Sequence, residues 1–155
     1  MTGRFVGLIT VLIAALVLGM AYFAQYGMHL VPCELCLLER WPYRVVLALG
    51  VLALLLGGRA ARLLVALSGV AMLVNIGISA LHMGVEWHWW ASPFPECNGA
   101  LTPGAALLMM PSVSCDQGVY LLSWLPLSMS QMDFIASIGF TILLFFMASR
   151  VRSRA

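Results

Sequence analysis

Residues 5–26 read FVGLITVLIAALVLGMAYFAQY, a run without a single charged side chain. As an α-helix this segment is about 33 Å long, which is enough to cross a hydrocarbon core of about 30 Å. The rest of the chain has the same character, because 63% of its 155 residues are hydrophobic and only 9% are charged. Roughly a quarter of the residues are charged in soluble domains. The sequence therefore predicts a protein that is embedded in a membrane.

Further spans follow the first one along the chain. Residues 63–85 form a second long apolar run. The run at 45–56 is too short to span, so its helix must extend back through charged residues towards Cys36. The run around 134–147 is also short, so a helix that spans the membrane here must include neighbouring residues on both sides of the run. We predict an all-α membrane protein of one domain, residues 1–155, with a bundle of four transmembrane helices at about 5–26, 36–56, 63–85 and 132–149.

A secretory signal peptide is the alternative reading of the first run, since Arg4 precedes it. The run is longer than the apolar part of a signal peptide, and further spans follow it. We expect this segment to be retained as the first helix.

The arginines predict the orientation of the bundle, because positive residues in short loops favour the cytoplasmic side. The chain has no lysine, and six of its eight arginines lie at the two termini or between the second and third spans: Arg4, Arg59, Arg62, Arg150, Arg152 and Arg154. All six acids lie in the other connections or their flanking turns. Both termini are therefore expected in the cytoplasm, and loops of about 27–35 and 86–131 outside it. We expect membrane lipid and no nucleic acid among the partners.

Each outer loop carries one pair of cysteines, Cys33 with Cys36 and Cys97 with Cys115. Disulfides form and persist outside the cytoplasm, and these pairs are the simplest of three possible connectivities. A disulfide between Cys97 and Cys115, taken alone, fits a structural cross-link that stabilises its loop. A disulfide within a Cys-x-x-Cys motif closes a loop of only about four residues and so stabilises the fold little, whereas this motif favours thiol exchange. A zinc site would need a second close pair of ligands, and no histidine lies between Cys97 and Cys115. We therefore predict no metal.

Arg40 follows Cys36 by one helical turn, and Arg44 continues the same face. A nearby guanidinium and a helix N-terminus both favour the thiolate form of a cysteine. The guanidinium also has donors for a carbonyl oxygen of an apolar ligand among the helices. The alternative is that Glu39 pairs with an arginine and the side chains extend to the membrane surface.

The stretch CELCLLER at 33–40 resembles the Cys-x-x-Cys-x-x-Glu-Arg signature of the disulfide bond formation protein B (DsbB) family. The four spans, the two cysteine pairs and SPFP at 92–95 also resemble that family, so the likeness covers nearly the whole chain. It implies an oxidoreductase of the bacterial inner membrane with its active site on the periplasmic side. Such an enzyme oxidises a DsbA-like protein of the thioredoxin fold, transfers the electrons to a membrane quinone (ubiquinone or menaquinone), and so generates disulfides for oxidative folding.

The same resemblance implies roles for individual residues. The partner's thiolate attacks the disulfide at Cys97, and the freed Cys115 attacks Cys33. This releases Cys36 as a thiolate beside Arg40 and the quinone. His82, at the end of the third span, resembles a family histidine near the quinone. The predicted catalytic residues are Cys33, Cys36, Cys97 and Cys115, and the predicted quinone-binding residues are Arg40, Cys36 and His82. We expect the sulfurs of the second loop to be accessible.

Two other classes of function fit parts of the sequence. A membrane scaffold stapled by disulfides accounts for the helices and for Cys97 with Cys115, but not for Arg40 beside a dithiol. A copper-handling protein would use Cys33, Cys36, His82 or methionines such as Met109 and Met110, because soft sulfur ligands suit Cu(I).

Overall fold

The computed structural model describes residues 2–94, 115–120 and 126–151. This part of the chain contains four α-helices and no strand. Helix α1 spans Gly3–Tyr26, α2 spans Glu34–Leu56, α3 spans Gly58–Glu86 and α4 spans Met129–Arg150. The predicted all-helical architecture is confirmed, and each helix is slightly longer than the span predicted for it.

Helices α1, α3 and α4 are each long and apolar enough to cross a membrane. Their outer surfaces expose large apolar side chains, such as Leu16 and Phe23, that a soluble protein would bury. Helix α2 has a similar length but carries four charged residues, Glu34, Glu39, Arg40 and Arg44. Its role as the fourth span stays a prediction.

Helices α1 and α2 approach each other through small residues. A Cβ atom at Gly7 would lie 2.5 Å from the backbone nitrogen of Leu54, and one at Gly50 would lie 3.0 Å from Val11 Cγ2. Small residues allow helices in a membrane to pack closely, where van der Waals contact rather than the hydrophobic effect drives association. This contact fixes α1 beside α2.

A partly buried acid connects the other three helices. Asp133 of α4 accepts hydrogen bonds from Tyr43 of α2 (2.8 Å) and from Asn75 (2.8 Å) and Ser79 (2.6 Å) of α3. The sequence predicts that Asn75 bonds a neighbouring helix, and this is confirmed, since its amide nitrogen also lies 2.8 Å from Ser137 of α4.

The chain reverses sharply between α2 and α3. Gly57 alone separates the two helices and has φ 63° and ψ −166°, a conformation that is restricted almost entirely to glycine. At the opposite end of α3, the Ser128 hydroxyl donates a hydrogen bond of 2.6 Å to Glu86 and accepts one from the backbone N–H of Gln131. Ser128 therefore caps α4 and joins its start to the end of α3.

Candidate active site

The dithiol lies at the N-terminus of α2. Cys33 is the N-cap residue, and its sulfur accepts a hydrogen bond of 3.3 Å from the backbone N–H of Cys36. Both cysteines are free, and their Sγ atoms are 2.8 Å apart. The four-residue motif therefore places one sulfur on the helix end and the other one turn inside the helix.

The helix end stabilises the thiolate of Cys33. The hydrogen bond from the Cys36 thiol lowers the pKa of Cys33 below its usual range; burial opposes this shift, and His82 adds to it. The sequence favours the thiolate at Cys36 because Arg40 follows it. In the structure, where the pair is reduced, it is Cys33 and not Cys36 that lies at the N-terminus of α2, the positive end of the helix dipole, which favours a thiolate.

His82 of α3 contacts Cys33 and a buried acid of α2. Its Nε2 atom lies 3.6 Å from Cys33 Sγ, and its Nδ1 atom lies 2.9 Å from Glu39 Oε1. Cys33, Glu39 and His82 are all less than 10% exposed. A carboxylate only accepts hydrogen bonds, so an ionised Glu39 would accept one from Nδ1–H of His82, and Nε2 is the ring nitrogen that faces Cys33. A thiol, an imidazole and a carboxyl group are thus in contact.

An apolar cavity of about 190 Å³ lies on the other side of Cys36, between α1, α2 and α4. Its apolar lining comes mainly from α1 and α4 and includes Val17, Leu18, Met20, Ala21, Met129, Met132 and Ala136. Its polar lining comes from Cys36, Glu39, Arg40, Tyr43 and Asp133. Met20 and Ala136 are exposed on the outer surface of the bundle. The cavity therefore meets the lipid-facing side of the protein.

Arg40 lies in the wall of this cavity and is only 7% exposed. Its Nη1 donates a hydrogen bond of 2.6 Å to Gln25 Oε1, and its guanidinium lies 5.3 Å from the centroid of the Tyr22 ring. Glu39 pairs with His82 instead of an arginine. The arrangement in which Glu39 and an arginine pair at the membrane surface is therefore not the one that the structure shows.

Cys115 lies in the same buried cluster as Cys33, with Leu35 and Val85. It is disulfide-bonded and 1% exposed, so the accessibility that we expected for this sulfur is wrong. Its predicted partner, Cys97, lies outside the described residues, as do Met109 and Met110, and the pairing of Cys97 with Cys115 stays a prediction.

The structure groups the predicted site residues into two adjoining sets. Cys36 and Arg40 line the cavity, whereas His82 contacts Cys33 and Glu39 and is not among the residues that line the cavity. Two residues of the cavity wall, Tyr43 and Asp133, were missed from the sequence. Asp133 lies in the second turn of α4, directly before the apolar run at 134–147, and an ionisable group at the start of a membrane span is the signal that points to it.

Comparisons with known proteins match this chain to one family. The family model described as disulfide bond formation protein DsbB matches residues 3–147, a range that includes all four cysteines. An uncharacterized protein from Rickettsia prowazekii (strain Madrid E) is 34% identical over 53 residues, which are 34% of this chain and 31% of that protein. The match thus spans about a third of the length of this relative. No solved structure matches the chain.

Proposed function

The chain belongs to the family of disulfide bond formation protein DsbB, and we propose that it oxidises a periplasmic DsbA-like dithiol protein and transfers the electrons to a membrane quinone. Family membership makes it a disulfide-generating membrane oxidoreductase. The position of Cys36 carries the finer proposal. The Sγ atom of Cys36 lies 2.8 Å from the Sγ atom of Cys33. Cys36 also lines the apolar cavity, beside Arg40.

The cavity fits the head group of a quinone. An engineered apolar cavity of about 150 Å³ holds benzene, so about 190 Å³ is enough for a substituted six-membered ring. A quinone bound there supplies an acceptor for two electrons and two protons. Arg40 has further N–H donors for a carbonyl oxygen of the ring, and Cys36 presents its sulfur in the same cavity. The apolar side chains of α1 and α4 line the cavity, and two of them, Met20 and Ala136, are exposed on the outer surface of the bundle.

His82 and Glu39 provide a route for the proton of Cys33. Nε2 of His82 accepts the thiol proton, and Nδ1 passes its own proton to Glu39, which lines the cavity. When the dithiol closes, one S–S bond joins Cys33 and Cys36, whose sulfurs are already 2.8 Å apart, and two electrons and both thiol protons are removed from the pair. The two electrons and the two thiol protons leave α2 towards the cavity, where a bound quinone would accept them and depart as quinol, so the step balances with the quinone as the oxidant.

The burial of Cys115 beside Cys33 supports the order of the thiol relay. A buried sulfur is a poor target for a partner protein, so the partner's thiolate attacks Cys97. Cys115 then leaves that disulfide as a thiolate, and Cys33 is in the same cluster. Residues of the two predicted outer connections thus meet at the start of α2.

We place this chemistry at the periplasmic face of the bacterial inner membrane. The arginines favour a cytoplasmic location for both termini, and the cysteines then face an oxidising compartment. The quinone is ubiquinone or menaquinone, since both offer a ring with two carbonyl oxygens to Arg40 and Cys36.

The test is quinone reduction by the purified protein in lipid nanodiscs, with a reduced thioredoxin-fold dithiol protein as the electron donor. We expect turnover that is abolished by each of four substitutions: Cys33→Ser, Cys36→Ser, Cys97→Ser and Cys115→Ser. Size-exclusion profiles identical to that of the parent protein control for misfolding. Full turnover by any one of these variants overturns the relay, and a stapled scaffold predicts no quinone reduction at all.

A further inference from the structure

We propose that the reduced dithiol and His82 form a binding site for one thiophilic d¹⁰ metal ion, Zn²⁺ or Cu⁺. The two sulfur atoms and one imidazole nitrogen all lie within 4.8 Å of one another. In the described part of the chain this is the one group of this kind. The sequence disfavours zinc because it contains no second close pair of ligands, whereas the fold brings a third ligand, His82, from α3 to the first pair.

The distances between the ligand atoms suit a tetrahedral ion with one open position. Zn–S bonds of about 2.3 Å and Zn–N bonds of about 2.0 Å give S···S and S···N separations of about 3.8 and 3.5 Å. Cys33 Sγ and His82 Nε2 are already 3.6 Å apart. The sulfurs are 2.8 Å apart, so metal binding requires the side chain of Cys36 to rotate and move its sulfur about 1 Å further from that of Cys33.

The imidazole is already oriented for metal binding. Glu39 Oε1 lies 2.9 Å from Nδ1 of His82, which places the free electron pair of Nε2 on the side of the sulfurs. A carboxylate that holds a metal-binding histidine in this way is common at zinc sites and strengthens the ligand. A Cys-x-x-Cys pair without a neighbouring histidine and carboxylate has no ligand that is oriented in this way.

The charge of the ligands also favours a cation. Two thiolates and Zn²⁺ have no net charge, which lowers the cost of burying the sulfurs. Glu86 Oε1 is 3.9 Å from His82 Nε2 and adds a further negative charge at the edge of the site. Binding displaces the two thiol protons and transfers no electron.

The metal and the disulfide exclude each other, because a disulfide has no thiolate to donate. The ion therefore binds only the reduced protein and prevents both sulfurs from leaving the reduced state. This consequence for turnover rests on the proposed function, whereas binding itself requires neither a quinone nor a partner.

Metal binding is measured on the full chain with Cys97→Ser and Cys115→Ser, reduced and then freed of reductant. Zn²⁺ is titrated against a chromophoric chelator, and Cu⁺ is titrated in a parallel series under argon. We expect one equivalent of ion in the reduced protein and none after diamide has closed the remaining disulfide. His82→Ala should weaken binding at least tenfold and Glu39→Gln about 10- to 100-fold, whereas His88→Ala, at an exposed position, leaves it unchanged.

X-ray absorption of the zinc-loaded parent protein keeps the test independent of how the variants fold. The expected first shell contains two sulfurs at about 2.3 Å and an imidazole nitrogen at about 2.0 Å. A shell without imidazole, equal affinity in His82→Ala, or binding to the oxidised protein overturns the proposed site. Tight binding by a protein that never reduces quinone would instead refute the proposed function and leave this site intact.

Discussion

At the scale of single residues, two arginines one turn apart on α2 have different surroundings. Arg40 is buried in the cavity wall beside Cys36. Arg44 is exposed, donates a hydrogen bond of 2.8 Å to the Tyr22 hydroxyl, and lies over the ring of Trp41. The two residues carry the same charge, belong to the same helix and lie within one turn of each other along it. They therefore form a matched pair for testing which arginine binds the electron acceptor.

We predict that Arg40→Ala lowers kcat/KM for quinone by about 10- to 100-fold, mainly through KM, because a hydrogen bond to a charged group contributes about 1.5–3 kcal/mol. The saturation curve for the donor protein should change little. Arg44→Ala is the control and should keep kcat/KM for quinone within about twofold. Equal effects of the two substitutions would remove the role assigned to Arg40.

The contact between His82 and Glu39 is a feature of the site that could not be predicted from the sequence. The Cys-x-x-Cys motif and Arg40 are close in sequence, so helical periodicity predicts their proximity. His82 and Glu39 lie on different helices, and only the packing of α2 against α3 brings them to a separation of 2.9 Å. The position of His82 beside Cys33 therefore could not be derived from spacing.

At the scale of helices, the contact between α1 and α2 depends on Gly7. A Cβ atom at this position would meet the backbone of Leu54 at 2.5 Å and that of Ala53 at 2.9 Å. Backbone atoms cannot rotate away as a flexible side chain can. Gly19, on the same helix, has open space around its Cα.

We predict that Gly7→Ala destabilises the protein by about 1–3 kcal/mol, the usual cost of inserting an extra carbon into a packed interface. Gly19→Ala should be neutral or stabilise by up to about 1 kcal/mol, because alanine favours a helix more than glycine does. Unfolding by SDS in mixed micelles measures both free energies. A Gly7→Ala protein as stable as Gly19→Ala would show that the helices do not meet as described.

Helix positions were predicted well because a membrane span requires a long apolar run. The predicted spans lie inside α1 to α4, and the main differences are at helix ends, such as the start of α3 at Gly58 instead of residue 63. Helix ends are set by local capping groups, such as Gly57 and Ser128, which hydropathy does not detect. The polar connection through Asp133 also depends on packing, since its donors come from α2 and α3.

At the scale of the whole molecule, the number of spans decides which side of the membrane each terminus occupies. Three spans, counting only α1, α3 and α4, put the termini on opposite sides. Four spans put them on the same side. Burial of Glu39 and Arg40 inside the bundle supports α2 as the fourth, because these two charges then avoid lipid.

We predict that both termini are cytoplasmic. Green fluorescent protein fused to either end should fluoresce, and alkaline phosphatase fused to either end should be inactive. Alkaline phosphatase fused after Trp90 should be active, because the end of α3 then faces the periplasm. Active phosphatase at the C-terminus together with a fluorescent fusion at the N-terminus would contradict a four-span bundle.

The central claim is that the α2 dithiol gives its electrons to a quinone in the adjoining cavity. A single anaerobic turnover tests it: the Cys97→Ser/Cys115→Ser protein is reduced, freed of reductant and mixed with a short-chain ubiquinone, while absorbance follows the quinone. We predict one equivalent of quinone reduced per protein, with Cys33 and Cys36 converted to a disulfide in mass spectrometry. Thiols that remain free while the quinone stays oxidised would contradict the claim.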